Sequence, residues 1–94
     1  MQKVAELDDN SAFIYLGDCF ERRTDGKQNF VLAYKCYVIA ASNGFADGQF
    51  NLARCYEHGI GVEKDLQKAK QYYEKAAENG SNEAAKRLKT NIGE

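Results

Sequence analysis

The cysteine and histidine side chains are the residues of this sequence best suited to catalysis or metal binding. Cys55 and His58 are three residues apart, and the two further cysteines are Cys19 and Cys36. Residues at positions i and i+3 lie on one face of a helix, so a contact between Cys55 and His58 is geometrically allowed. A thiol enzyme or metal protein built on this pair is therefore a remote alternative for the function.

The rest of the sequence argues against that chemistry. A structural zinc site normally needs four ligands from two such pairs, and the chain contains a single histidine. A nucleophilic thiol needs an orienting group and an oxyanion site, which no loop here supplies. On a helical wheel Cys19 and Cys55 lie beside the apolar arc, whereas His58 points away from it. We expect three small buried cysteines and no catalytic residue, cofactor or metal.

Composition and charge narrow the class of protein. The 94 residues include 44% hydrophobic and 29% charged residues, which is typical of one small folded domain rather than a disordered chain. The net charge of −1 provides no excess of positive charge for binding nucleic acid. The sequence has neither a span long enough for membrane insertion nor a secretory leader, and its three cysteines fit no disulfide pattern. These features predict a cytoplasmic location.

Glycine placement and the absence of proline predict an all-α fold. Without proline, helix is allowed throughout the chain. Gly44 and Gly80 each follow an asparagine and are expected to end a helix, and Asn29 and Asp65 are expected to cap the start of one. The resulting prediction is five helices over 10–22, 30–43, 46–58, 66–79 and 82–91.

An internal repeat determines the predicted architecture. When residues 10–44 are shifted by 36 positions onto the following unit, nine positions coincide without a gap. The identical pairs include Leu16/Leu52, Cys19/Cys55, Glu21/Glu57, Ala33/Ala69, Tyr37/Tyr73, Ala40/Ala76 and Gly44/Gly80. A period of this size indicates stacked helix-turn-helix units, none of which can bury its apolar face alone.

The second unit resembles a known family. Its pattern consists of Gly48, Leu52, Ala53, Tyr56, Gly59, Gly61, Val62, Asp65, Lys68, Ala69, Tyr72, Tyr73, Lys75, Ala76, Ala77 and Gly80. This pattern resembles the Sel-one-like repeat, a relative of the tetratricopeptide repeat. The first unit is similar but has Arg23 and Asp25 in place of two loop glycines, and Cys36 in place of an aromatic residue. The resemblance implies a right-handed α-solenoid without enzymatic chemistry that holds proteins or peptides.

The register divides the chain into four parts. Residues 1–9 are expected to be the tail of a preceding helix, 10–44 a degenerate repeat one, 45–80 a well-matched repeat two, and 81–94 a C-terminal capping helix. The segments at the two ends of the repeat pattern fit either a protein of only two repeats with short caps or a part of a longer repeat array.

In the first helix of each repeat, one side is predicted to pack into the core, and the opposite side, which we call the free arc, is predicted to lie outside the core. The core arc of repeat one holds Ala12, Phe13, Leu16, Gly17, Cys19 and Phe20. The resemblance places the free arc on the concave side of the solenoid, where we expect a partner-binding site. Its apolar anchors are Ile14 and Phe50, unless these pack against neighbouring helices. The charged and polar residues are Asp18, Glu21, Arg22, Arg54, Glu57 and His58, and we expect Arg54 and the two glutamates to select the partner's charge.

The second helix of repeat one predicts a second interface. Positions that are polar in repeat two are apolar here, at Val31, Leu32, Val38 and Ile39. An open apolar strip is typical of an interaction site, although the N-terminal segment could instead cover it. We expect a second partner surface or a homodimer, and a structural homo-oligomer built on helix 30–43 is the alternative function.

Overall fold

The computed structural model describes residues 3–23 and 29–89, which form five α-helices. Within these residues there is no β-strand, which confirms the all-α class. The three central helices begin and end within one residue of their predicted limits. The helices are α1 (Lys3–Arg22), α2 (Phe30–Ser42), α3 (Ala46–His58), α4 (Leu66–Glu78) and α5 (Asn82–Lys89).

Helix α1 differs from its prediction because it is continuous from Lys3 to Arg22. The segment 1–9 was expected to be the tail of a separate helix, and its described part instead runs directly into α1. The physical reason lies in the sequence, which has Leu7 and Asp8 where an Asn-Gly pair ends α2 and α4. Neither α1 nor any other helix in the described ranges has the length and apolar character needed to cross a membrane.

Predicted capping residues set the limits of α2 and α4. Asn29 Oδ1 accepts a hydrogen bond from the Leu32 amide at 3.0 Å, and Asp65 Oδ1 accepts one from the Lys68 amide at 3.1 Å. Gly44, which follows α2, has a φ of 81°, a left-handed conformation that favours glycine. Local sequence therefore fixes these ends. The turn around Asp25 in repeat one lies outside the described residues.

Each helix packs mainly against the next one along the chain, and α1 also contacts α3. The first helices of the units are therefore α1, α3 and α5, and the second helices are α2 and α4. Small residues allow close approach: a Cβ atom on Gly48 would lie 2.6 Å from the Ala40 Cβ, and one on Gly17 would lie 2.6 Å from the Tyr37 ring. Gly17 therefore makes room for Tyr37 of the paired helix.

Burial differs between equivalent positions of the two repeats. Leu52 is only 2% exposed, whereas Leu16, 36 residues earlier, is 43% exposed, and Ala12 is exposed as well. The prediction that Ala12 and Leu16 belong to the core is therefore wrong. Leu52 lies where α3 packs against α2, while the described chain places no second helix before α1.

Candidate protein-binding surface

Two adjoining hollows form a groove along the first helices. The smaller has a volume of about 330 Å³ and is lined by Ser11, Ile14, Tyr15, Asp18, Phe45, Asp47 and Asn51. The larger, of about 380 Å³, is lined by Ile14, Asp18, Arg22, Asp47, Phe50, Asn51, Arg54 and Glu83. Four residues line both, namely Ile14, Asp18, Asp47 and Asn51. We call this continuous surface the first-helix groove.

The apolar part of the first-helix groove contains two half-buried side chains. Ile14 is half-buried and lines both hollows. Phe50 is also half-buried, and its ring contacts the Tyr73 ring edge-on at a centroid distance of 5.7 Å. Phe50 thus packs against the core and also lines the groove. Tyr15 is 69% exposed beside them.

A polar network ties Glu21 to the two following helices. The Tyr37 hydroxyl donates to Glu21 Oε1 at 2.9 Å, and Arg54 Nη2 lies 2.6 Å from Glu21 Oε2. Arg54 Nη1 also donates to Asn51 Oδ1 at 3.0 Å. Burial alone would raise the pKa of Glu21, but the hydrogen bonds and charge of Arg54 outweigh it and lower that pKa. The carboxylate is therefore held ionised by a partner from α3.

Repeat two contains the corresponding network around Glu57. The Tyr73 hydroxyl donates to Glu57 Oε1 at 2.6 Å, and Arg87 of α5 pairs with Glu57 Oε2. Burial, followed by the Glu57 hydrogen bond, raises the pKa of Tyr73 to about 12. His58 is exposed, with Nε2 3.7 Å from Glu57 Oε1. Glu57 itself is buried.

These networks give three of the predicted site residues partners within the chain. We expected Glu21, Arg54 and Glu57 to select a partner's charge, but each already pairs across the interface between helices. The repeated Glu–Tyr spacing of 16 residues was a signal for this arrangement. The arginines were harder to find because Arg54 follows Glu21 by 33 residues, whereas Arg87 follows Glu57 by 30.

Two carboxylates in the first-helix groove have no ion pair among the described residues. Asp47 and Glu83 are both exposed, in the first turns of α3 and α5. They occupy equivalent repeat positions, since they are 36 residues apart. Asp18, by contrast, lies 2.6 Å from the Arg22 guanidinium. Asp47 lies on the arc of α3 that the sequence predicts as free, whereas Glu83 was not among the predicted site residues, although the register position it shares with Asp47 was a signal.

The repeat pattern also matches a protein family. Residues 11–45 and 46–81 each match the Sel1 repeat. The chain belongs to the Sel1 repeat family. This confirms the resemblance to the Sel-one-like repeat inferred from the sequence.

Curated relatives of this Sel1 repeat chain are much longer proteins. It is 43% identical over 58 residues to the rat (Rattus norvegicus) protein "DAP3-binding cell death enhancer 1", covering 62% of this chain and 11% of the relative. It is 33% identical over 86 residues to "ERAD-associated E3 ubiquitin-protein ligase component HRD3A" of Arabidopsis thaliana, covering 92% and 12%. The chain thus spans about a ninth to an eighth of the length of these relatives.

Solved structures support the helical solenoid. A crystal structure of a Sel1 repeat protein from Oxalobacter formigenes is similar with a TM-score of 0.79 and 40% identity, covering 85% of this chain and 60% of the other. Cysteine rich protein B of Helicobacter pylori is similar with a TM-score of 0.78 and 30% identity, covering 93% and 65%. Both likenesses extend over both Sel1 repeats.

The predicted strip on α2 is divided between two environments. Val31 is 51% exposed, and Leu32 and Ile39 are also exposed. Val38 is half-buried against the core and lines a hollow with Leu52, Tyr56 and Tyr72. Val38 therefore does not belong to the exposed strip, because it faces the other helices of the Sel1 repeats.

Cys55 and His58 occupy different environments. Cys55 is fully buried, and this burial, followed by the charge of Glu21, raises its thiol pKa to about 12. His58 is exposed. Within residues 3–23 and 29–89, histidine, cysteine and acidic side chains form no group of three or more that could hold a metal ion. Gly59 and Gly61 both have left-handed φ values in the turn between α3 and α4.

Proposed function

We propose that this chain is a non-enzymatic interaction module that binds a protein segment in the first-helix groove. The observation that carries the proposal is the continuity of the groove, in which Ile14, Asp18, Asp47 and Asn51 line both hollows. The printed names of the relatives are in keeping with it, since one is described as binding DAP3 and another as a component of a ubiquitin ligase.

The charge of the groove favours a segment with a basic residue. Arg22 and Arg54 contribute positive charge, but Asp18 and Glu21 pair with them. The carboxylates that remain open are Asp47 and its repeat equivalent Glu83. A lysine or arginine side chain placed between them would find complementary charge, which favours orientation and association rate.

The apolar part of the groove supplies the binding free energy in this proposal. A leucine-sized or aromatic side chain over Ile14 would remove apolar surface from water, and each square ångström contributes about 25 cal/mol. Tyr15 borders the same hollow and offers a large, exposed ring. The proposed ligand is thus a short segment in which a basic residue is flanked by apolar ones.

Selection from a random peptide library tests this function. The intact chain is immobilised, and bound peptides are sequenced and then titrated against variants. We expect enrichment of lysine or arginine beside apolar residues, and loss of binding in Ile14→Glu. Val31→Glu is the matched control, because it adds the same charge at an exposed apolar position outside the groove. Peptides that bind Ile14→Glu as tightly as the intact chain would contradict the proposal.

A structural homo-oligomer is the second candidate function. The exposed apolar residues Val31, Leu32 and Ile39 of α2 favour it, because such a patch is typical of association sites. Sedimentation of the chain over a hundredfold concentration range tests this candidate. A mass that rises with concentration would favour it, and a constant monomer mass would exclude it.

The proposal includes the absence of thiol chemistry and a cytoplasmic location. The high pKa of Cys55 leaves little thiolate near neutral pH, and the thiolate is the nucleophile. Three free cysteines suit a reducing compartment. Fractionation of cells that express the chain, with an antibody against it, would test the location.

A further inference from the structure

A hollow of about 420 Å³ lies between the two second helices, α2 and α4. It is lined by residues of α2, of the turn after α2, of α3 and of α4, among them Val38 and Lys75. We call it the second-helix hollow. Gln49, Leu52 and Tyr56 line it from one side of α3, whereas the first-helix groove uses the opposite side of that helix. The two surfaces therefore share no residue.

Three tyrosine rings line the second-helix hollow and provide a hydrogen-bond donor. The hydroxyl oxygens of Tyr34 and Tyr56 are 2.9 Å apart, and the Tyr72 ring stacks on the Tyr56 ring at a centroid distance of 5.8 Å. One of the two hydroxyl protons forms the bond between the oxygens, so the other can be donated to a ligand. The hydrogen bond with Tyr56, followed by burial, raises the pKa of Tyr34 to about 12, so this hydroxyl keeps its proton at neutral pH.

Two lysines of α4 give the second-helix hollow a positive charge. Lys75 lines it with Nζ 5.8 Å from the centre of the Tyr72 ring, and Lys68 Nζ lies 5.4 Å from the centre of the Tyr56 ring. These contacts hold the ammonium groups over the rings and leave N–H donors for an anion. Neither lysine has an ion pair within residues 3–23 and 29–89. The described lining residues include no aspartate or glutamate.

Repeat one lacks carboxylates at positions where repeat two has them. Val38 and Ser42 line the second-helix hollow from α2, and their equivalents on α4, 36 residues later, are Glu74 and Glu78. Helix α2 therefore presents an apolar side chain and a hydroxyl group to the hollow instead of two carboxylates. Because α2 supplies no negative charge there, the lysine charges are available to a carboxylate of another molecule.

We propose that the second-helix hollow binds an acidic segment of a partner protein. Lys68 and Lys75 are seven residues apart on α4, which corresponds to about 10 Å along the helix axis. Two acidic residues three positions apart in an extended segment span about the same distance. An apolar side chain between them would pack over Val38, which is half-buried. A small acid with a single carboxylate would reach only one of the two lysines, so their spacing favours a segment.

Peptide selection on the intact chain provides the probes for this site. A random library is bound to the immobilised chain, and the selected peptides are synthesised with a fluorescent label and titrated at low salt. We expect a class of acidic peptides in addition to the basic class proposed for the first-helix groove. Its members should have aspartate or glutamate at a spacing of three residues with an apolar residue between them.

Charge removal at matched positions locates the binding site of the acidic peptides. Lys68→Gln/Lys75→Gln removes both charges at the second-helix hollow. Lys64→Gln/Lys70→Gln removes the same net charge at exposed positions that do not line it. We expect the affinity for acidic peptides to fall about tenfold in the first variant and less than twofold in the second. The difference should shrink at high salt.

An added carboxylate tests the same site from α2. Ser42→Glu introduces the residue type of repeat two at an exposed position that lines the second-helix hollow. The new carboxylate would compete with the partner's carboxylate for Lys75 and repel it, so the affinity should fall at least fivefold. Ser42→Gln, which adds a side chain of similar size without the charge, should change the affinity less than twofold. Circular dichroism of each variant checks its fold.

Three results would overturn the proposal. The first is a selection that yields no acidic class, and the second is equal weakening by the two lysine double variants. The third is binding of 3-phenylpropionate as tight as that of the peptides, because the ligand is then a free carboxylic acid. Ile14→Glu separates the two sites: it should abolish binding of the basic class and leave binding of the acidic class unchanged. Loss of the acidic class in this variant would place those peptides in the first-helix groove.

Discussion

Repeat one and repeat two have the same residue at several equivalent positions, yet their surroundings make these residues behave differently. Leu16 and Leu52 are both leucines on the first helix of a repeat, but only Leu52 has a second helix packed over it. Cys19 and Cys55 differ in the same direction, since Cys19 is half-buried and Cys55 is fully buried. Position in the array, rather than local sequence, therefore decides burial.

The interhelical networks are less sensitive to position. Glu21 and Glu57 each accept a hydrogen bond from the tyrosine 16 residues later and pair with an arginine from the next first helix. Each unit thus pairs its glutamate with an arginine of the next unit. This dependence runs toward the C-terminus, from α1 to α3 and from α3 to α5.

The largest expected difference is in thiol reactivity. At about pH 8 we expect iodoacetamide to alkylate Cys55 about a thousandfold more slowly than an ordinary cysteine, because burial raises its pKa to about 12 from a usual value of 9. Cys19, which is half-buried, should react first of the equivalent pair. Mass spectrometry of tryptic peptides gives both rates. Unfolding in urea is the control and should equalise them, and equal rates in the folded chain would contradict this prediction.

Replacing each of the equivalent leucines with alanine compares how much the two positions contribute to the free energy of unfolding. Leu52→Ala should lower the free energy of unfolding by about 3 kcal/mol, because it leaves a cavity in the core. Leu16→Ala should lower it by less than about 1 kcal/mol, because that side chain is already partly in water. Urea unfolding followed by circular dichroism measures both. Similar losses would mean that Leu16 is covered in solution.

The Glu21 network gives a dependence of stability on pH. Because the folded chain lowers the pKa of Glu21, its stabilising contribution is present above the unfolded-state value near 4.5 and is lost as the pH falls through the lower, folded-state pKa. Glu21→Gln should cost about 1–2 kcal/mol near pH 7, a figure reduced for partial solvent exposure, and less near pH 3. Urea titrations at several pH values test this.

The matched control is Glu74→Gln, on the exposed side of α4, which should change the free energy of unfolding little at either pH. If the cost of Glu21→Gln were the same at both pH values, ionisation of Glu21 would not be its source.

The parts of the fold that local sequence controls could be predicted. Asn29 and Asp65 cap helices through their own side chains, and Gly44 adopts a conformation that few other residues tolerate. These features need no knowledge of distant contacts. The exposure of Leu16 could not be predicted in this way, because it depends on whether another helix packs against α1.

The candidate site was predictable only in part. Ile14 and Phe50 were found from the helical wheel, and both line the first-helix groove. The ion pairs within the chain could not be predicted, because a wheel does not show that Glu57 meets Arg87 of a later helix. Phe45 was missed for a different reason: it precedes α3 and therefore has no place on the wheel of that helix.

The smallest expected effect concerns two carboxylates in the first-helix groove. Asp47→Asn should weaken the binding of a selected basic peptide by about two- to fivefold, because an exposed ion pair contributes only about 0.2–1 kcal/mol. Asp18→Asn should weaken it less, because Arg22 already lies 2.6 Å from Asp18. Titrations at low and high salt measure both effects, and the penalty for Asp47→Asn should shrink as salt screens the charge. An equal or larger penalty for Asp18→Asn would show that the pairing with Arg22 does not decide which carboxylate is available to the partner.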